Sequence, residues 1–227
     1  MRVASAIIAK ELRKHGYSFS EAQILRRLRR VERERRAPMS GLVPQRLYDR
    51  DVWWKILLRQ LHLSRVNGPW IQRATMRYWD AYVKGSPPFR DAEPAVKRLK
   101  KLGYRLAIVS DSDGTPGVKR RRIRGVPFSG LFEAVVVAGE DTPRVKPTKA
   151  PFLLVAKRLG LPPEKCVYVG DNPDTDVEGA QAVGMMTILV RRPPYGVPNP
   201  SASGPREKPT IRVRSLREIV RILLLSA

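Results

Sequence analysis

Cys166-Val167-Tyr168-Val169-Gly170-Asp171-Asn172-Pro173-Asp174-Thr175-Asp176 passes from a short apolar run into a glycine turn crowded with carboxylates. Four apolar residues bounded by turn formers read as a buried strand over Cys166–Val169, and Asp174–Val183, closed by Gly184, reads as the helix after it. The same alternation continues on both sides. Downstream lie a strand at Met186–Val190, a turn-rich loop from Arg191 to Pro209, a short edge strand at Ile211–Val213 and a final helix opened by the capping box Ser215-Leu216-Arg217-Glu218. Upstream lie a helix at Pro151–Leu159 closed by Gly160, a strand at Ala134–Ala138, a strand at Arg105–Val109 and a helix at Glu93–Leu102 ended by Gly103. Strands alternating with helices predict a parallel sheet covered on both faces.

Before Gly85-Ser86-Pro87-Pro88 the texture is different. Ile7, Ile8 and Leu12, then Ile24, Leu25 and Leu28, recur at helical spacing, with a break at His15–Ser18 and a cap at Ser20-Glu21-Ala22-Gln23. Asp51–Leu61 and Pro69–Val83 add two aromatic-rich helices carrying Trp53, Trp54, Trp70, Tyr78, Trp79 and Tyr82, residues expected to form the core of this part. The Arg26–Arg36 run and the Lys119–Arg122 run with Arg124 are expected to be solvated helix faces. Residues 1–84 therefore read as one all-helical domain and 85–227 as an α/β domain.

Composition excludes more than it selects. With 42% apolar residues, the 227-residue chain can bury a sizeable interior. No stretch approaches the roughly 18 consecutive apolar residues of a membrane span, and no signal peptide is read at the N-terminus, so a soluble cytoplasmic protein is expected. Cys166 is the only cysteine, which rules out an intrachain disulfide and suits a reducing compartment. The net charge of +23 attracts polyanions without choosing among them, and no base-reading motif accompanies it. Abundant arginine also fits a heat-adapted protein. His15 and His62 have no metal-ligand spacing.

Ligands of an open parallel sheet sit at the carboxyl ends of its strands. Three such ends are polar here: Ser110-Asp111-Ser112-Asp113, Lys146 and Gly170-Asp171 with Asp176. A hydroxyl, an ammonium and two carboxylates suit a phosphate held beside a hard divalent cation, because lysine neutralises phosphate oxygens and carboxylates supply the oxygen ligands that Mg²⁺ takes. Singly, each has a plainer explanation as a helix cap or a solvated charge.

In order and spacing, Ser110, Lys146-Pro147 and Gly170-Asp171 with Asp176 resemble the second, third and fourth motifs of the haloacid dehalogenase superfamily, over roughly residues 86 to 227. The resemblance implies a Rossmann-like α/β core at 85–227 and a helical cap domain at 1–84. It implies a Mg²⁺-dependent phosphohydrolase of a small phosphorylated metabolite. Ser110, Asp111 and Lys146 would hold the phosphoryl group, with Ser110 and Lys146 catalytic; Asp171 and Asp176 would serve the metal, Asp176 by orienting the metal or Lys146.

The family's first motif, an Asp-x-Asp at the end of a central strand before the cap, has no counterpart among the residues preceding Val3. An N-terminally truncated sequence lacking the first core strand is the expectation. Asp111-Ser112-Asp113-Gly114-Thr115 itself spells Asp-x-Asp-Gly-Thr, which makes Asp111 and Asp113 an alternative nucleophile and acid/base. A third reading is an inactive protein binding phosphate or nucleic acid, with the Lys119–Arg124 region as its basic patch.

Overall fold

The computed structural model describes residues 2–36, 49–63, 68–192 and 209–225. They form two compact units, Met1–Pro87 with Ser112–Arg122, and Pro88–Asp111 with Ile123–Ala227.

The first unit is helical. Helix α1 (Arg2–Arg13) turns Ile8, Ala9 and Leu12 inward, and α2 (Glu21–Arg36) turns Ile24, Leu28 and Val31 inward, all with no measurable exposure. The Ser20 cap forms: its hydroxyl accepts the Gln23 amide, and the Gln23 side chain accepts the Ser20 amide. Helix α3 (Arg50–Gln60) starts at an Asp49 carboxylate that accepts the amides of Asp51 and Val52. Helix α4 (Gly68–Lys84) brings Trp70 and Trp79 against Trp53, Trp54 and Leu57 of α3 in one apolar cluster. The indole of Trp54 donates to Thr75 Oγ1 at 2.8 Å, so this ring is buried with its polar edge satisfied. Tyr82 departs from the expected core: it is exposed, in tilted or edge contact with Tyr78 and Trp79.

Helix α6 (Val118–Arg124) contributes Val118 to that same cluster, although it follows the first strand of the other unit. The Lys119–Arg122 run is not the solvated face expected from sequence. Asp113, buried, accepts Lys119 at 2.9 Å and Arg122 at 2.5 Å; Arg122 also stacks over Trp79, and the exposed Arg121 pairs with Asp80. A buried carboxylate requires its counter-charges close by, and that turns two of the four cations inward.

The second unit carries the five strands found among the described residues. β1 (Ala107–Asp111) pairs in parallel with β2 (Ala134–Ala138), and β3 (Val167–Gly170) pairs in parallel with β4 (Met186–Val190), which pairs in turn with β5 (Ile211–Val213). The observed strands begin two residues later than expected for β1 and one later for β3, so Ser110 and Asp111 close β1, and Cys166 lies half-buried before β3 instead of inside a strand. Among the described residues the strands make two sheets, β1-β2 and β3-β4-β5, with neither β1 nor β3 paired on its second edge. Helix α7 (Lys149–Leu159) packs across both: Phe152, Val155 and Ala156 share a cluster with Val136 of β2, Val109 of β1 and Tyr168 of β3. A second cluster joins β4 and β5 to α9 (Leu216–Leu225). The Ser215 capping box forms, with the Glu218 amide on Ser215 Oγ at 3.4 Å. Helix α5 (Ala92–Lys101) is tied to α9 by Asp91, whose Oδ2 accepts both the Leu216 amide and Arg192. Most of the loop expected over Arg191–Pro209, residues 193–208, lies outside the described residues.

Candidate active site

Two strand ends and the loop after a third converge within the α/β unit. β1 ends on Ser110 and Asp111, β3 ends on Gly170, and Lys146 stands in the loop between β2 and α7, followed by a cis bond to Pro147. The Lys146 amide donates to Asp111 Oδ1 at 3.1 Å, which fixes this loop to the end of β1. Its ammonium donates to Asp176 Oδ1 at 2.7 Å and lies 3.9 Å from Asp111 Oδ2. One lysine thus joins the end of the first sheet to the loop that leaves the second.

Asp176 is buried in a wide π turn, Pro173–Val177, ahead of the short helix α8 (Glu178–Gln181). Such turns are frequent at functional sites. Its Oδ1 accepts Lys146 and the Tyr168 hydroxyl; its Oδ2 accepts the amides of Asp171 and Asn172, each at 3.1 Å. Both oxygens therefore serve the protein itself. Two backbone amides, a hydroxyl and an ammonium thus satisfy a carboxylate that is only 4% exposed. The turn depends on Gly170: a Cβ there would stand 2.5 Å from the Asp176 carboxylate. Gly179 is needed for a similar reason, since a Cβ would meet the Phe152 ring at 2.3 Å and the Pro147 carbonyl at 2.7 Å.

Asp171 differs from Asp176 in being exposed. Partial desolvation of its carboxyl, which the exposure leaves incomplete, and then the charge of Asp176 raise its pKa, against the opposing pull of its backbone hydrogen bond and Lys146. A nearby cation would relieve that repulsion, so a hard divalent ion with oxygen ligands fits this residue's chemistry. No group of three or more His, Cys, Asp or Glu side chains gathers among the described residues. Burial alone would pull the Lys146 ammonium down, but Tyr168, Asp176 and Asp111 outweigh it and raise its pKa. Burial likewise pushes the Tyr168 phenol up, with Asp176 and Asp111 adding to it and Lys146 opposing. At neutral pH the phenol is thus a neutral donor, and the two carboxylates keep the lysine charged.

Ser110 makes no side-chain hydrogen bond among the described residues, which leaves its hydroxyl for a ligand. Asp113 is not brought to this place: it belongs to the helical unit, with its oxygens on Lys119 and Arg122. Ser112 accepts the Gly114 amide at 3.1 Å and shapes that turn. Tyr168 is the residue sequence reasoning missed. Its alternation with Val167 and Val169 places it on the opposite face of β3 from those two, but its ring contact with Phe152 and its bond to Asp176 are tertiary.

A parallel α/β unit whose strand ends and following loops carry Ser110, Lys146, Asp171 and Asp176 is thus accompanied by a helical unit. A family model of haloacid dehalogenase-like hydrolases matches residues 2–184, and the chain belongs to that family. It is 31% identical over 125 residues to the glyceraldehyde 3-phosphate phosphatase of Methanopyrus kandleri, covering 55% of this chain and 52% of that one. It is 30% identical over 133 residues to the phosphoserine phosphatase of Thermus thermophilus, covering 59% and 50% respectively. The chain thus spans about half the length of these curated relatives. Among solved structures, a HAD phosphatase from Thermococcus onnurineus superposes with a TM-score of 0.67 at 23% identity, over 97% of this chain and 87% of that one. A 2-haloacid dehalogenase from Pseudomonas syringae gives 0.62 at 21%, over 99% and 90%. Phosphatase and dehalogenase share the fold, so the fold does not choose the reaction.

Proposed function

We propose that this protein hydrolyses a small phosphate ester, with the phosphoryl group held in the α/β unit by Ser110 and Lys146. The observation that carries this is the buried Lys146–Asp176 pair, with an ammonium kept charged and its loop tied by a backbone hydrogen bond to the end of β1, the strand that also carries Ser110. Ser110 donates to a phosphoryl oxygen, and Lys146 neutralises the charge that builds on the group as the ester bond breaks. Tyr168, as a neutral donor, and the Asp171 and Asn172 amides hold Asp176 in place, and Asp176 in turn aims Lys146. Asp171 would hold Mg²⁺, which would supply Lewis-acid stabilisation of phosphate oxygens. Relatives named as phosphatases of sugar and amino-acid phosphates support a small phosphorylated metabolite as substrate. The single cysteine supports a cytoplasmic setting, and no described helix is long and apolar enough to cross a membrane.

The attacking carboxylate belongs, in this reading, to a further strand that pairs between β1 and β3. The free edges of both strands support it, and so does their exposure: every residue of β1 is half-buried, and Val169 of β3 is 40% exposed. Nucleophilic catalysis needs that group to divide hydrolysis into two easier steps. Little Mg²⁺-dependent turnover of an aryl phosphate is therefore expected from residues 1–227. A longer chain carrying a strand that ends in Asp-x-Asp is expected to be active, and to lose activity on Lys146→Ala. Robust hydrolysis by residues 1–227, abolished by Asp111→Asn, would instead make Asp111 the nucleophile. Sequence-selective nucleic-acid binding that survives physiological salt would favour a binding protein, but the engagement of Lys119, Arg121 and Arg122 with carboxylates of their own unit weighs against it.

A further inference from the structure

Arg50, the first residue of α3, carries a guanidinium enclosed by aromatic rings. Its Cζ lies 4.0 Å from the ring centroid of Trp53, 5.0 Å from that of Tyr78 and 5.6 Å from that of Trp79. Nη2 donates to the Tyr78 hydroxyl at 3.3 Å, while Nε and Nη1 are shut away from solvent with no acceptor. The flanking carboxylates are committed elsewhere: Asp49 caps the Asp51 and Val52 amides, and Asp51 accepts the Thr75 hydroxyl. The other ring-stacked arginines are built differently. Arg122, over Trp79, pairs with Asp113, and Arg192, over Phe89, pairs with Asp91. Arg50 has no such carboxylate among the described residues. Arg122 adds a second cation on the Trp79 ring and also leaves its own Nε without an acceptor.

A guanidinium with two nitrogens shut away from solvent and no carboxylate within ion-pairing distance among the described residues is poorly satisfied, because cation–π attraction replaces neither the lost hydrogen bonds nor the lost solvation. Water could satisfy the N–H groups but not the charge. An oxyanion supplies both, and directed N–H donors favour oxygen acceptors over a halide. We propose that Arg50 is the centre of an oxyanion-binding site inside the helical unit, taking a phosphate or carboxylate group. Anion binding here does not depend on Ser110 or Lys146.

The test is calorimetric titration of the full chain in chloride buffer at fixed ionic strength, with inorganic phosphate in one arm and malonate in the other, so that the arms distinguish the two groups. Wild type, Lys146→Ala, Arg50→Met and Arg50→Lys are compared. Saturable binding of at least one probe is expected to survive Lys146→Ala, to weaken roughly tenfold or more in Arg50→Met and to weaken less in Arg50→Lys. Arg50→Met is also expected to melt no lower than wild type when neither probe is present, since it removes two buried nitrogens that have no acceptor. Binding unchanged by Arg50→Met, or abolished altogether by Lys146→Ala, would overturn the proposal, as would an Arg50→Met protein that fails to fold. Phosphate binding that is identical in wild type and Lys146→Ala would count against the phosphate role of Lys146 while leaving Arg50 in place.

Discussion

The helical unit and the α/β unit bury their interiors in different ways. In the first, Ile8, Leu12, Ile24, Leu28, Leu57 and Trp70 have no measurable exposure and belong to one cluster. In the second, the apolar residues divide between two clusters, and burial runs opposite to the usual order of a parallel sheet. β2 and β4 are largely buried, whereas β1 and β3, the strands with unpaired edges, are half-exposed along most of their length. Parallel strands are normally covered on both faces. Helices satisfy their own backbone and need only a face to bury, but a strand needs neighbours, so the helical unit closes on its own residues and the sheet does not.

This contrast can be broken most forcefully in the helical unit. Trp54→Ala is expected to cost about 3–5 kcal/mol, because it empties the centre of the cluster and strands Thr75. All four tryptophans lie in this unit, so intrinsic fluorescence reports its melting separately from far-ultraviolet circular dichroism, which sees both. Fluorescence is expected to change at a higher temperature than the dichroism of the strands; coincident transitions, with the same shift on Trp54→Ala, would remove the distinction. Native-state hydrogen exchange examines the sheet directly. The amides of β1 and β3 that point away from their single partners are expected to exchange about a hundredfold faster than those of β4, which is paired on both sides. Equal protection would mean that something already covers those edges.

The site tests how far the two sheets act as one. Gly170→Ala places a methyl group against the Asp176 carboxylate and is expected to cost about 2 kcal/mol. It should also free the Lys146 ammonium, detectable as a lowered lysine pKa by NMR titration. The same substitution at the exposed turn residue Gly103, where an added Cβ meets nothing within 4 Å but φ is +84°, is expected to cost stability without moving Lys146. The smallest effect belongs to Asp91. The Arg192 hydrogen bond holds its carboxyl below the ordinary range, against burial, with help from the Leu216 amide. A depressed folded pKa contributes stability that is present above the unfolded value and lost as pH falls through the folded one, so the window lies below about pH 4. Asp91→Asn should lower stability at neutral pH by about 1 kcal/mol and flatten acid unfolding measured by dichroism.

Much of this was legible in the residues. The positions of eight helices and all five strands, the Ser20 and Ser215 caps, and the order Ser110, Lys146, Asp171, Asp176 could be read because periodicity, turn formers and caps act within a few residues of one another. Only the tertiary structure decided that Asp176 serves Lys146, thirty residues away, and that Tyr168 supports it. The same holds for α6, which joins the helical core through Val118, and for Asp113, which is spent on Lys119 and Arg122. The enclosure of Arg50 by three rings likewise depends on how α3 packs on α4. A sequence states which charges and rings a protein owns, but their pairing is settled by contacts between distant segments, and in a buried setting that pairing determines whether a charge stabilises the fold or is left to bind a ligand.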